Sequence, residues 1–161
     1  MSGLLIDADG RFSGYASLFG KPDQGGDIVM PGAFAKSLER RGRNAVRMLF
    51  QHDPKEPVGL WERIGETARG LHVEGRLLPG VRRAGELRAL IASGALDGLS
   101  IGFRTERASR TAGGMRRLWQ IDLWEISIVT FPMMDGARIA SAARAAKTAR
   151  SQRGAECALV F

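Results

Sequence analysis

The chain has 161 residues and a formal net charge of +7, with 44% apolar residues. This length predicts one domain that is large enough to bury a core. A single cysteine, Cys157, excludes an intramolecular disulfide and favours a reducing compartment. There is no apolar run of about 18 residues and no signal-peptide pattern, so we expect an intracellular, soluble protein without a membrane partner.

The basic charge is concentrated at the end of the chain. Residues 137–161 carry five basic side chains and one acidic side chain, Glu156. This segment is rich in alanine and arginine and poor in large apolar residues, which predicts a basic tail that is disordered or proteolytically processed. Because the tail explains much of the excess charge, a nucleic acid is not expected as a specific partner. We therefore predict a domain over residues 1–136.

Turn-forming residues recur through the first half of the chain at the spacing of short strands. The apolar patterns predict strands over residues 11–19, 45–51, 58–64, 71–78, 100–107 and 115–130, and short helices over 33–41 and 84–93. Proline at position 54 is expected to prevent the strand over 45–51 from continuing. The three tryptophans are predicted to lie in the core. Together these elements predict an α+β fold that is mostly an antiparallel sheet or barrel with short surrounding helices.

The two histidines limit the search for a general base. His52 follows a predicted buried strand and lies in a turn, so the strand provides a fixed scaffold from which the ring can project. His72 alternates with Leu71 and Val73 in a predicted hairpin strand, and it is interpreted as an ordinary solvent-facing residue. A histidine that activates a hydroxyl nucleophile also needs a third group to orient it.

Ser100 is the candidate nucleophile, in the stretch LDGLSIGFR. Strand alternation places Ser100 and Gly102 on the face opposite Leu99 and Ile101. Such a serine and glycine suit a place where another backbone comes close. The letters GLSIG match Gly-x-Ser-x-Gly, but a nucleophile elbow requires a strand before the serine and a helix after it. Here a predicted helix precedes and an extended run follows, which excludes the elbow.

Glu125 lies in the apolar stretch LWEISIV, where a buried carboxylate needs a partner. Asp122 is three residues earlier, so alternation directs the two carboxylates to opposite faces of the strand. No spacing of histidine and cysteine matches a zinc site, and the chain has neither a GxxxxGK[ST] loop nor a GxGxxG turn that opens a helix. We therefore expect no metal and no cofactor.

Five stretches in this order carry a resemblance: GYASLFGKPDQGGDIVMPGAF, MLFQHD followed by PVG, GLHVEGRL, LIASGALDGLSIGF and IDLWEISIVTFPM. They resemble the prohead proteases of HK97-type tailed bacteriophages, serine proteases of capsid maturation that also occur in prophages and gene transfer particles. The resemblance covers residues 14–137. It implies an assemblin-like β-barrel, as in the herpesvirus assemblins, and a serine endopeptidase without a cofactor.

The resemblance also implies roles for individual residues. His52 is the base, Ser100 the nucleophile and Glu125 the third catalytic residue, with Asp122 as the alternative. Backbone amides are expected to bind the oxyanion. The resemblance also implies an assisting arginine, for which Arg116 and Arg117, or Arg104, are alternatives that the sequence leaves open.

The implied substrate is a capsid protein precursor or a scaffold segment, cleaved inside the assembling procapsid in the cytoplasm of a bacterial host. Self-association as a dimer is the oligomeric state that the resemblance suggests. A protein of a different class remains as the alternative: a catalytically idle capsid-assembly or scaffold-binding factor that uses the basic tail.

Overall fold

A computed structural model of the chain describes residues 3–140 and residue 142. Its strands are β1 (Arg11–Leu18), β2 (Asp27–Val29), β3 (Arg47–Phe50), β4 (Asp53–Glu66), β5 (Gly70–Leu77), β6 (Gly98–Arg110) and β7 (Arg116–Val129). Its helices are α1 (Ala35–Arg41) and α2 (Arg82–Ala92), and a short 3₁₀ turn covers Arg43–Ala45. Each predicted strand and helix is therefore present, with ends that shift by a few residues.

The strands form one curled, mostly antiparallel sheet. Its order is β1-β5-β4-β3-β7-β2, and β6 pairs with β7. Strands β2 and β3 run parallel to β7 and lie along it one after the other, whereas the other pairs are antiparallel. The curled sheet forms a partly closed barrel, so the predicted barrel with short surrounding helices is confirmed.

Residues 137–140 join the two ends of the sheet. The amide of Leu99 in β6 donates to the carbonyl of Ala137, and the amide of Ala140 donates to the carbonyl of Ser13 in β1. Gly14 allows this approach, because a Cβ there would lie 2.2 Å from the Arg138 carbonyl oxygen. Although the sequence assigns these four residues to the tail, they pack with the barrel. The rest of the predicted tail, apart from residue 142, lies outside the described residues.

The turn between β3 and β4 differs from the prediction. Pro54 was expected to stop the chain from continuing as a strand, but β4 begins at Asp53 and includes the proline. Phe50 pairs with Asp53, so only Gln51 and His52 connect the two strands. Proline is tolerated near the first residue of a strand, where its missing amide costs little. His52 therefore lies in a two-residue hairpin turn.

Two of the three tryptophans are outside the core, which corrects the prediction. Trp61 is buried, but Trp119 and Trp124 are 37% and 47% exposed. Strand β7 is buried on both faces over residues 121–123 and 126–129, but positions 119 and 124 lie outside these stretches, so its aromatic content does not by itself indicate burial. The Trp124 ring lies on the outer surface, with the Arg41 and Arg104 guanidinium groups 4.9 and 5.7 Å from its centroid.

Candidate active site

The turn that carries His52 has an unusual backbone. Gln51 and His52 have φ angles of 54° and 59°, in the left-handed region. Two-residue hairpin turns require this conformation but favour glycine and asparagine, and other residues there cost about 1–3 kcal/mol each. The surrounding contacts hold the turn in place. The Gln51 amide nitrogen Nε2 lies 2.6 Å from the Thr130 hydroxyl, and the Gln51 backbone amide donates to the carbonyl of Ile128 at 3.0 Å.

His52 is hydrogen-bonded to Glu125. The contact joins the imidazole Nδ1 to the carboxylate Oε1, and the Glu125 side chain is 13% exposed. This hydrogen bond raises the pKa of His52 above its usual range, against partial burial, which lowers it. Because a carboxylate only accepts hydrogen bonds, Nδ1 carries the proton and Nε2 of the neutral ring keeps its lone pair. His52 is therefore the partner that the sequence predicted the Glu125 carboxylate would need.

Ser127 links the backbone of His52 to the same carboxylate. Its hydroxyl accepts a hydrogen bond from the His52 amide at 3.0 Å and donates one to Glu125 Oε2 at 2.6 Å. Ser127 is fully buried. Sequence reasoning missed this residue, although its position two residues after Glu125 places it on the same face of β7 and was a usable signal.

Ser100 lies beside this cluster on the neighbouring strand. In the antiparallel pairing of β6 with β7, Ser100 faces Ser127 and Gly102 faces Glu125. Facing residues of such a pair have Cβ atoms about 4.5–5.5 Å apart, so the Ser100 side chain adjoins the hydroxyl that contacts His52. Ser100 is 5% exposed, and its hydroxyl makes no hydrogen bond within residues 3–140. The two predicted groups are neighbours without a direct hydrogen bond.

Gly102 provides the space that the Glu125 carboxylate occupies. A Cβ at position 102 would lie 2.1 Å from Glu125 Oε1. The sequence predicted a close approach here, and the structure confirms it with one correction. The group that comes close is a carboxylate of the paired strand rather than a backbone.

Asp122 belongs to a different cluster. Its carboxylate accepts two hydrogen bonds from Arg41, both at 2.7 Å, one from Arg40 at 2.7 Å and one from the indole of Trp124. These contacts, chiefly the Arg41 hydrogen bonds, lower the pKa of Asp122 to about 2. The sequence left Asp122 as the alternative partner of His52. The structure places Glu125 against the imidazole and Asp122 against helix α1.

In the described part of the chain, the three arginines named as oxyanion candidates contact groups other than Ser100 and His52. Arg116 binds both carboxylate oxygens of Asp27, at 2.7 and 2.8 Å. Arg104 lies over the Trp124 ring, and Arg117 is exposed on β7 opposite Ser109. None of these contacts involves Ser100 or His52.

His72 also lies apart from the cluster. Its ring packs edge-on against Tyr15, with centroids 5.2 Å apart, and burial lowers its pKa. It is half-buried rather than a free surface residue. His52 is therefore the histidine that the fold brings next to Ser100.

A cleft of about 140 Å³ includes Ser100 in its lining. Its other walls come from β1, β2, the start of β6, Asp23, and Met133 with Met134. A larger cavity of about 290 Å³ lies beside α2 and contains none of the predicted site residues. Within the described residues, no group of three His, Cys, Asp or Glu side chains could hold a metal ion, and no helix is long and apolar enough to cross a membrane.

Comparison with known proteins places this chain in a family. Residues 5–152 match the family model of the caudovirus prohead serine protease. The chain belongs to this family. It is similar to the prohead protease of Enterobacteria phage HK97, with 40% identity over 135 residues, which are 82% of this chain and 60% of that protein. The chain thus spans less than two thirds of its relative's length.

Solved structures of a bacteriophage capsid assembly protease and of a herpesvirus protease share the fold. The capsid assembly protease of bacteriophage T4 matches with a TM-score of 0.64 and 14% identity over 82% of this chain and 90% of that one. The KSHV protease, solved with a hexapeptide phosphonate inhibitor, matches with a TM-score of 0.56 and 12% identity over 80% of this chain and 63% of that one. The expected assemblin-like fold of this prohead protease family member is therefore confirmed.

Proposed function

We propose that this chain is a serine endopeptidase that cleaves capsid-precursor or scaffold segments during procapsid maturation. The observation that carries the proposal is the hydrogen bond between Nδ1 of the His52 imidazole and the Glu125 carboxylate. Glu125 lies on β7, the strand paired with the one that carries Ser100. Membership of the prohead protease family supports the reaction class. An acid, an imidazole and a hydroxyl in this order are the groups that acyl transfer from a peptide requires.

In the first half of the reaction Ser100 is the nucleophile. Its oxygen attacks the carbonyl carbon of the scissile peptide bond, and the hydroxyl proton passes to Nε2 of His52. Glu125 keeps the imidazole in the correct tautomer and stabilises its protonated form. Catalytic hydrogen bonds in resting proteases are often long and tighten on binding of the substrate. The missing direct bond between Ser100 and His52 in the resting chain is compatible with this role.

In the second half His52 acts as an acid and then again as a base. It donates the proton to the nitrogen of the departing amine as the C–N bond breaks, which leaves an acyl ester on Ser100. A water molecule then attacks the ester, with His52 taking its proton, and the acid product leaves with regeneration of the hydroxyl. Backbone amides are the proposed donors to the oxyanion, each worth about 2.7–4 kcal/mol in comparable enzymes.

Co-expression with the matching major capsid protein precursor tests the assignment. Wild type should shorten the precursor, and Ser100→Ala should leave it intact. Ser13→Ala is a matched control, because Ser13 is another buried strand serine on a different part of the barrel. Processing by Ser100→Ala at the wild-type rate would exclude Ser100 as the nucleophile. If neither wild type nor control cleaves the precursor while both bind it, the chain is the idle assembly factor instead.

The precursor would be cut inside the procapsid, in the cytoplasm of a bacterial host, with the chain free or self-associated as a dimer. The basic tail would target the protein to the capsid or be removed by self-cleavage. Because residues 137–140 pack with the barrel, a cut beyond residue 142 would leave the described fold intact. Comparison of intact masses of wild type and Ser100→Ala detects such a cut.

A further inference from the structure

The hydroxyl of Ser127 has two hydrogen-bond partners that both belong to the proposed catalytic pair. It accepts from the backbone amide of His52 at 3.0 Å and donates to Oε2 of Glu125 at 2.6 Å. The other carboxylate oxygen, Oε1, contacts Nδ1 of the His52 ring. The hydrogen bonds therefore form a closed ring that leaves His52 at its backbone and returns to it at its imidazole.

This ring of hydrogen bonds holds a turn whose two residues, Gln51 and His52, do not favour its left-handed backbone conformation. Left-handed conformations at Gln51 and His52 persist only where surrounding groups over-determine them. Beyond the ladder hydrogen bond of Gln51, two hydroxyl side chains contact this turn: Thr130, which follows β7, bonds the Gln51 side chain, and Ser127 of β7 bonds the His52 backbone. Of the two, Ser127 is fully buried and contacts the carboxylate as well. Without its hydroxyl, the His52 amide and Glu125 Oε2 would each lose the partner that the described residues provide.

We propose that Ser127 is a positioning residue, which fixes the His52 backbone and the Glu125 carboxylate relative to each other so that the imidazole faces Ser100. This inference rests on the proposed function for its catalytic consequence. Its structural part concerns the resting protein alone. Misplacement of a catalytic group by about 1 Å can cost about 100-fold in rate, so a hydroxyl that holds two of the three groups has a large effect without contacting the substrate.

The chain contains a matched control for the experiment. Ser37 is also a buried serine, and its hydroxyl accepts from the amide of Leu123 at 2.8 Å and donates to the carboxylate of Asp122 at 3.3 Å. Like Ser127, Ser37 bridges a backbone amide and a carboxylate, but these belong to Leu123 and Asp122 and lie away from His52. Ser37→Ala and Ser127→Ala should lose similar amounts of thermal stability. Only Ser127→Ala should change the behaviour of His52.

Two measurements distinguish positioning from structural support. Titration of the His52 ring by NMR, in a Ser100→Ala background that keeps the chain intact, should show its pKa falling toward the ordinary value in Ser127→Ala but not in Ser37→Ala. Glu125 is the charged group that acts on this ring among the described residues. With Ser100 present, Ser127→Ala should lower kcat for a precursor-derived peptide about 100-fold, with KM nearly unchanged, whereas Ser37→Ala should keep kcat.

An unchanged His52 pKa in Ser127→Ala, with kcat equal to that of Ser37→Ala, would overturn the inference. Should Ser127→Ala fail to fold, Ser127→Cys replaces it, because a thiol of similar shape is a weaker donor and acceptor. The same fall of the His52 pKa is then expected, and its absence again refutes the role. If wild type itself proves inactive, the proposed function fails, while the NMR comparison still decides whether Ser127 positions His52.

Discussion

Replacing Gly102 by alanine tests the candidate site with the smallest possible change. The added Cβ would lie 2.1 Å from Glu125 Oε1, and ordinary contact begins near 3.4 Å. The carboxylate must therefore withdraw by about 1.3 Å. Hydrogen bonds to oxygen have heavy-atom distances of about 2.5–3.2 Å, so a displacement of this size breaks the contacts of Glu125 with His52 and Ser127. The variant removes the carboxylate from the imidazole without altering either residue.

The expected loss of activity can be bounded. A 1 Å misplacement near a reacting group costs about 100-fold, and an ineffective carboxylate behind the imidazole of a serine protease costs about 10⁴-fold in kcat. Gly102→Ala should therefore lower kcat by between about 10² and 10⁴, as measured with a peptide spanning the precursor cleavage site. Gly65→Ala is the control. That glycine is also in a strand, has no neighbour within 4 Å of an added Cβ, and should give a fully active protein.

A double-mutant cycle decides whether the effect passes through Glu125. In a Glu125→Ala background the carboxylate is absent, so Gly102→Ala should cause no further loss of kcat. Two results would refute the reasoning: full activity of Gly102→Ala, or an equal loss of activity with and without Glu125. Either would mean that the contact between position 102 and the carboxylate does not control the imidazole.

Further predictions concern the ionisable groups. His52→Gln should abolish turnover and leave the circular dichroism spectrum unchanged, because a turn histidine contributes little packing; residual turnover near the wild-type level contradicts its role as base. Because the pKa of His52 is raised, the acid limb of the kcat/KM profile should lie above pH 6.5, and Glu125→Gln should move it to lower pH; an unmoved limb argues against the pair. Because the pKa of His52 is raised in the folded protein, the charged His52–Glu125 pair stabilises the fold below about pH 6.5. This contribution is lost as the pH rises through the folded-state pKa of His52, so the unfolding free energies of wild type and His52→Gln should converge as the pH rises. Asp122→Asn should lower the free energy of unfolding by about 1–3 kcal/mol with activity retained; a loss of kcat as large as that of Glu125→Gln would restore Asp122 as the third catalytic residue. Because the pKa of Asp122 is lowered to about 2, the carboxylate stabilises the fold above about pH 4, and this contribution fades as the pH falls toward about 2. Acid unfolding of wild type and Asp122→Asn measures the difference.

Local patterns in the sequence were sufficient for the elements and for the identity of the candidate groups. Alternation and turn residues predicted the strands, and the shortage of histidines directed attention to His52. The cost of burying a carboxylate showed that Glu125 needed a partner. Each of these inferences uses residues that are close in the chain, where the period of a strand or helix determines which side chains share a face.

The tertiary structure decided which of these groups meet. Alternation separates Glu125 from Asp122 but does not say which face the turn after β3 approaches, because that depends on the parallel pairing of β3 with β7 across more than 70 residues. The left-handed turn at His52 and the buried hydroxyl of Ser127 follow from the same pairing. Trp124 was expected in the core for a related reason: composition predicts a strand, but only the curvature of the sheet and the helices packed on it determine which face is covered.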